Sequence, residues 1–248
     1  MRLRLEINTR ARELPWGDVL APGRGIIYDS LYRAAPQLAE KIHENGWGPY
    51  GMAPFGYSAP MFPNARRVRG KYSTQGTGYL EFGSPLPEVV QALALDFMNP
   101  ARALLDWGGV ALQVGSVTVQ QPPSFASGRA RLRTANPVHI AEYEKPKPGG
   151  EHTPVRALLP EDPAYPVALE GNLNRRAETF GHPSDIRIEA ITWFGPRRSF
   201  RVTGQGHSGH RTGAPVEVEL SGSSGALAAL WSAGLGQQTG AGFGWVVA

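Results

Sequence analysis

The chain has 248 residues, an apolar share of 41% and a formal net charge of +4, so it is long enough to bury a core without staples, as one large domain or two small ones. It contains no cysteine, which excludes disulfides and thiolate metal sites. No stretch approaches eighteen apolar residues, so no membrane-spanning helix is expected. Positive charge resides mainly in arginine, with lysine only at Lys41, Lys71, Lys145 and Lys147; that balance suits phosphate contacts but does not by itself establish a nucleic-acid partner.

Leu3, Leu5 and Ile7 share one face of a first strand, while Arg2, Arg4 and Glu6 share the other. This alternation lacks the apolar core of a signal peptide, and a cytoplasmic protein is expected. After a loop containing Pro15, Gly17, Pro22 and Gly23, the stripe Ile27, Leu31, Ala34 predicts a helix. Pro36 starts a second, with Leu38 and Ile42 four residues apart, and Asn45-Gly46 stops it. Strands are predicted around Arg67–Tyr72 and Gly78–Phe82, a helix over Leu86–Met98, and a closing strand or strands from Val110 to Val119. The order β-α-β-β-α-β, with its first helix broken, is that of a ferredoxin-like unit.

Gln120–Ser124 reads as a linker, after which the pattern recurs. Arg129, Arg131 and Arg133 alternate with Ala130 and Leu132, and Val138–Tyr143 extends that strand. Lys145–Pro154 reads as a mobile loop. Asp162-Pro163 reads as an N-cap and N1 proline opening a helix towards Phe180, with Gly181 as its stop. Strands follow around Ile186–Ala190, Phe200–Val202 and Val216–Leu220. Ser223 or Ser224 caps a last helix in which Leu227, Leu230 and Trp231 have helical spacing. The expected fold class is α+β: two tandem ferredoxin-like (RRM-like) domains, residues 1–121 and 122–248, with a glycine-rich loop near the C-terminus.

That loop reads Gly234-Leu235-Gly236-Gln237-Gln238-Thr239-Gly240-Ala241-Gly242-Phe243-Gly244 and leads into Trp245-Val246-Val247, a short buried strand. Glycine permits positive φ and carries no Cβ, so successive backbone N–H groups can converge on phosphate oxygens. The loop lacks the Gly-Lys-Ser/Thr of a Walker motif and does not open a helix as a dinucleotide fingerprint does. A lone Gly-x-Gly is usually only a connection. The doubled triplet, however, resembles the Gly-h-Gly-x5-Gly-h-Gly signature (h apolar) of the CRISPR-associated repeat-processing endoribonucleases, the sixth Cas family within the RAMP superfamily. Gly234, Gly236, Gly242 and Gly244 fill its glycine positions, with Leu235 and Phe243 as the apolar pair. Weaker matches are Ile26-Ile27-Tyr28, Leu38–Glu44 around a histidine, and Asn172-Leu173 after Leu158–Pro163.

The resemblance implies two ferredoxin-like domains and an antiviral-defence nuclease. Such an enzyme cuts precursor CRISPR RNA within each repeat by 2′-hydroxyl attack, leaving a 2′,3′-cyclic phosphate and a 5′-hydroxyl. No cofactor and no metal are expected. Repeat RNA is the expected partner, as precursor and mature CRISPR RNA, with other Cas proteins as further possible partners.

Such a reaction needs a base for the 2′-hydroxyl and an acid for the departing 5′-oxygen, and histidine suits either role. His43 ends the second predicted helix beside Ile42 and should be accessible. Read alone it is a helix-capping histidine; the resemblance implies that it is catalytic, together with Tyr28 on the first helix. Tyr32, one turn on, is the alternative phenol. The lysine that some relatives carry after the histidine is missing from Asn45–Tyr50, and Arg24 is the candidate to stabilise transition-state charge. His207-Ser208-Gly209-His210 lacks further zinc ligands and reads as a polar turn. With Arg197, Arg198, Arg201 and Arg211 it forms a basic hairpin beside RNA, or else a solvated strand face. Arg129, Arg131 and Arg133 either track RNA between the domains or cover the sheet. A non-cleaving RNA-binding subunit of a CRISPR effector complex is the rival reading.

Overall fold

The structure is a computed structural model that describes residues 1–143, 154–204 and 207–247. In the first half β1 (Arg2–Asn8) and the short β2 (Glu13–Leu14) lead into α1 (Ala21–Ala34) and α2 (Pro36–Asn45). Then come β3 (Gly56–Tyr57), β4 (Tyr72–Ser73), β5 (Gly78–Gly83), α3 (Pro87–Phe97), β6 (Leu104–Asp106) and β7 (Ala111–Gln120). The antiparallel sheet runs β3-β5-β1-β7-β6. Leaving aside β6, which folds back on β7, this is the strand order of a β-α-β-β-α-β unit. Alternation in β1 sends Leu3, Leu5 and Ile7 into a core shared with Ile27, Leu31, Val89, Leu93 and Phe97. Burial of each such aliphatic side chain contributes about 1.5–3 kcal/mol. The break between α1 and α2 has a local cause. Ala35 precedes Pro36 and is pushed out of the helical region to φ −151°, ψ 69°.

The second half contains β8 (Arg129–Thr134), β9 (Ile140–Tyr143), β10 (Pro154–Leu158), α4 (Tyr165–Thr179), β11 (Arg187–Phe194), β12 (Arg198–Gly204), β13 (His207–Gly213), β14 (Val216–Ser221), α5 (Ser224–Ala233) and β15 (Val246–Val247). Its sheet runs β11-β14-β8-β15, which repeats the first sheet's order, while β9-β10 and β12-β13 pair separately. Leu132, Val218 and Leu220 pack there with Leu169, Leu173, Leu227 and Leu230 from α4 and α5.

Several local expectations are corrected. Arg67–Tyr72 is not a strand of the main sheet: only Tyr72–Ser73 is extended, paired with β2. The edge strand of the main sheet is instead Gly56–Tyr57. Arg66, Arg67 and Arg69 are exposed and have no apolar face to bury. Gly56 fits because a Cβ there would strike the carbonyl oxygen of Ala233. Val138–Tyr143 does not extend β8. Ala135 donates its N–H to Trp245 O, and Pro137, which cannot donate, breaks the ladder before β9. Asp162 does not cap α4. Its carboxylate accepts from Leu159 N at 3.1 Å and from Arg156, and the helix begins at Tyr165 after Ala164. Ser223 holds the N-cap position of α5, but its hydroxyl bonds to Asp185 instead of the helix. The segment from Lys145 to Gly150 and on to Thr153, read as a mobile loop, lies outside the described residues.

A buried arginine ties the halves together. The Arg2 guanidinium lies 3.9 Å from the Trp231 ring centroid and 4.0 Å from that of Trp245. It donates to Trp231 O and to Val246 O, the latter at 2.8 Å. Glu81, on β5, accepts from Trp245 Nε1 at 2.9 Å. Phe243 and Ala241, from the glycine-rich loop, enter the first core. The loop is thereby held against α1.

Candidate active site

α1 and α2 present Tyr28 and His43 to a common cleft of about 1020 Å³. His43 is exposed in the last turn of α2, whereas Tyr28 is half-buried. Their rings meet edge-on, centroids 5.0 Å apart at 75°. Tyr32 lies farther from His43, at 6.3 Å, and does not line the cleft. Burial raises the Tyr28 phenol above its ordinary pKa; the Arg24 charge opposes this without cancelling it. Arg24, one turn before Tyr28, sits 5.5 Å from its ring and also lines the cleft. The arrangement sets a protonated phenol, an accessible imidazole and a guanidinium around one space. Such a set can give and take protons and can stabilise developing negative charge.

The glycine-rich loop forms another wall, through Gly236–Ala241. Its four signature glycines all have positive φ, between 65° and 90°, yet the loop is largely buried and closes on the protein itself. A Cβ on Gly236 would lie 2.6 Å from Val138 Cγ1, and one on Gly242 would lie 2.7 Å from Tyr57 Cε2. One on Gly244 would strike the carbonyl oxygen of Leu235. Internal packing therefore requires glycine at these positions. Leu235 N donates to Gly244 O at 2.9 Å, Gln237 N to His139 O at 2.9 Å and Gly244 N to Pro137 O at 2.7 Å. Gln238, at φ 60°, is the one non-glycine residue with positive φ among the described residues.

The expected basic residues are dispersed, and none of the following lines the His43 cleft. Arg198 lies over the Trp16 ring, and Arg201 pairs with Asp18 at 2.9 Å. Arg201 lines a separate cavity of about 680 Å³ with Asp18, Asp29, Arg102 and Asp106. Arg197 is exposed, and Arg211 is half-buried on β13. Arg129 and Arg131 lie on the outer face of the second sheet, where Glu217 holds Arg131. The side chains of His207 and Ser208 lie outside the described residues. Among the described residues no group of three or more His, Cys, Asp or Glu could hold a metal ion.

Sequence reading passed over one contribution to the cleft. Val167, Ala168, Gly171, Asn172, Arg175 and Arg176 form a single stripe along α4 that lines it. Arg176 is buried to 2% exposure, and burial lowers its pKa to about 10. The available signal was the helical spacing of the small residues Ala168 and Gly171 with Asn172, Arg175 and Arg176.

Residues 120–247 match the family model described as "CRISPR associated protein Cas6, C-terminal". No curated protein matches the chain. Among solved structures, a product of a Cas6-related gene from Pyrococcus furiosus superposes with a TM-score of 0.77 at 16% identity, covering 100% of this chain and 97% of that one. A protein described as a RAMP protein binding different RNA substrates gives 0.76 at 16% identity, with 99% and 98% covered. A CRISPR-associated protein Cas6 gives 0.72 at 20% identity, with 100% and 98% covered. At these identities the likeness is one of fold, an α+β architecture shared over the whole chain.

Proposed function

This chain belongs to the Cas6 family of CRISPR-associated proteins, and from that premise we propose that it is a metal-independent endoribonuclease cutting precursor CRISPR RNA within its repeats. The observation that carries the reading is the edge-on meeting of Tyr28 and His43 in a cleft also walled by the glycine-rich loop. His43 takes the proton of the 2′-hydroxyl just upstream of the scissile phosphate. The 2′-oxygen bonds to phosphorus as the bond to the 5′-oxygen breaks, giving a 2′,3′-cyclic phosphate. Tyr28, kept protonated by burial, supplies a proton to the departing 5′-oxygen, and the proton taken up by His43 passes through solvent back to Tyr28, which restores both groups. Arg24 supplies positive charge where negative charge develops on the phosphoryl oxygens.

The division into domains 1–121 and 122–248 belongs to the same reading; the family-matched residues 120–247 fall in the second apart from their first two. Exposed Arg129 and Arg197, with Arg131, Arg198, Arg201 and Arg211, are secondary RNA contacts outside the cleft. Gly234, Gly236, Gly242 and Gly244 serve RNA indirectly, by shaping the loop whose backbone walls the cleft.

Repeat RNA with a single 2′-deoxy substitution upstream of the scissile phosphate tests the reaction class. It should bind and remain uncut, while cleavage of the all-ribose RNA survives EDTA. Cutting of the deoxy substrate at the normal site, lost in EDTA, would refute 2′-hydroxyl attack. Tight binding of all-ribose RNA without any cleavage would instead identify a non-cleaving RNA-binding subunit.

A further inference from the structure

Asn172 and Arg176 stand one helical turn apart on α4 and line the same cleft as His43. They are only 4% and 2% exposed. Asn172 Oδ1 and Arg176 Nε and Nη2 are closed off from solvent and have no hydrogen-bond partner. Burial lowers the Arg176 pKa, and among the described residues no carboxylate pairs with it; its ring neighbour is Phe180, at 5.8 Å. An unpaired buried guanidinium is costly, and folded proteins rarely keep one without a use. Its surroundings are cationic. Arg24 and Arg175 share the cleft, and among the described residues Glu44 is the one carboxylate on its wall. Room is available too: a Cβ added at Gly171 would meet only Arg175 Nη1, at 3.7 Å.

We propose that Asn172 and Arg176 form a buried anion subsite of the cleft that takes one phosphodiester group of the bound RNA. Arg176 turns its unpaired Nε–H and Nη2–H onto the non-bridging oxygens, matching the fork of the guanidinium to the phosphate. A phosphodiester has no hydrogen to give Asn172 Oδ1, but the adjoining ribose 2′-hydroxyl has one, and this separates RNA from DNA at the subsite. The RNA supplies the missing counter-charge, so the protein is under-stabilised at α4 until it binds. This inference rests on RNA being the ligand of the cleft.

Two variants test it, each measured by thermal melting without RNA and by filter binding to repeat RNA over a salt series. Arg176→Met removes the unpaired charge at similar length. Asn172→Asp places a carboxylate four residues before Arg176 and supplies an internal counter-charge. The free Asn172→Asp protein should melt above the parent, and Arg176→Met no lower than it. Both should bind RNA about tenfold to a hundredfold more weakly, the range for hydrogen bonds to a charged group. The salt slope of Arg176→Met should be shallower by roughly 0.7–0.9, one phosphate contact's worth. Parent-like affinity and slope in both variants would overturn the subsite, as would a lower melting temperature for Asn172→Asp with unchanged affinity of the folded protein. Failure of the parent itself to bind RNA would overturn the functional reading, and the subsite with it.

Discussion

Tyr28 and His43 lie on consecutive helices, and their rings meet at 5.0 Å because the chain turns at Ala35-Pro36 and runs back past α1. Neither helix could make that contact alone. The break that the proline imposes is therefore part of the candidate site, and the site's integrity can be tested residue by residue.

His43→Ala should lower the single-turnover cleavage rate by about 10²–10⁴-fold, the usual share of a proton-transfer group, with repeat affinity within a few fold of the parent. Tyr28→Phe should slow cleavage as well, whereas Tyr32→Phe should leave it near the parent, because Tyr32 does not line the cleft. An equal loss in the two tyrosine variants would contradict the geometry. Burial raises the Tyr28 pKa above its ordinary value, so the phenol stays largely protonated at neutral pH and is available as an acid there.

Gly244→Ala should destabilise the fold even without RNA. The residue has φ 65°, and a Cβ would strike Leu235 O. Positive-φ strain alone costs about 1–3 kcal/mol. Urea denaturation of the free protein measures the effect, and unchanged stability would mean that the loop does not close on itself as described. Gly17→Ala is the control, since a Cβ there meets nothing within 4 Å.

Removing the Arg2 side chain should separate the halves. Arg2→Ala leaves Glu81 buried with a partner lost and opens the space between Trp231 and Trp245. Breaking such a pair costs about 3–5 kcal/mol. Unfolding monitored by tryptophan fluorescence should show that loss. A change under 1 kcal/mol would place the junction's stability elsewhere.

His139 gives the loop's anchoring a pH dependence. It is buried, its Nδ1 lies 2.7 Å from Thr212 O, and burial lowers its pKa below 6.5. The folded protein thus favours the neutral ring, and the unfolded chain binds the extra proton. Its contribution is complete above pH 6.5 and is lost as pH falls towards the folded value, by at most about 1.4 kcal/mol per pH unit. His139→Gln should flatten the decline in melting temperature between pH 7 and pH 5. A parallel decline in both proteins would remove His139 as the cause.

Local periodicity was enough to place β1, α1, α2, α3, β7, β8, β11, β14 and α5, because alternation in strands and the 3.6-residue stripe of helices are properties of a few adjacent residues. The doubled glycine triplet likewise singled out the loop, and the family resemblance it carries singled out His43, which read alone is a helix cap. Tertiary structure decided the rest. The two-residue β3 exists only through its pairing with β5, and no window of sequence around Gly56-Tyr57 encodes that partner. Arg2 lies on the charged face of an alternating strand, and it is buried because Trp231 and Trp245, more than two hundred residues away, close over it. That the signature glycines pack against Val138, Tyr57 and Leu235, so that a Cβ would clash at Gly236, Gly242 and Gly244, is visible only in the fold. Nothing in the sequence pattern distinguishes Arg176, and only the fold around α4 leaves it buried, uncompensated and lining the cleft. Burial of charge depends on which distant segments surround it, and that information lies in the assembled chain, not in the spacing of its residues.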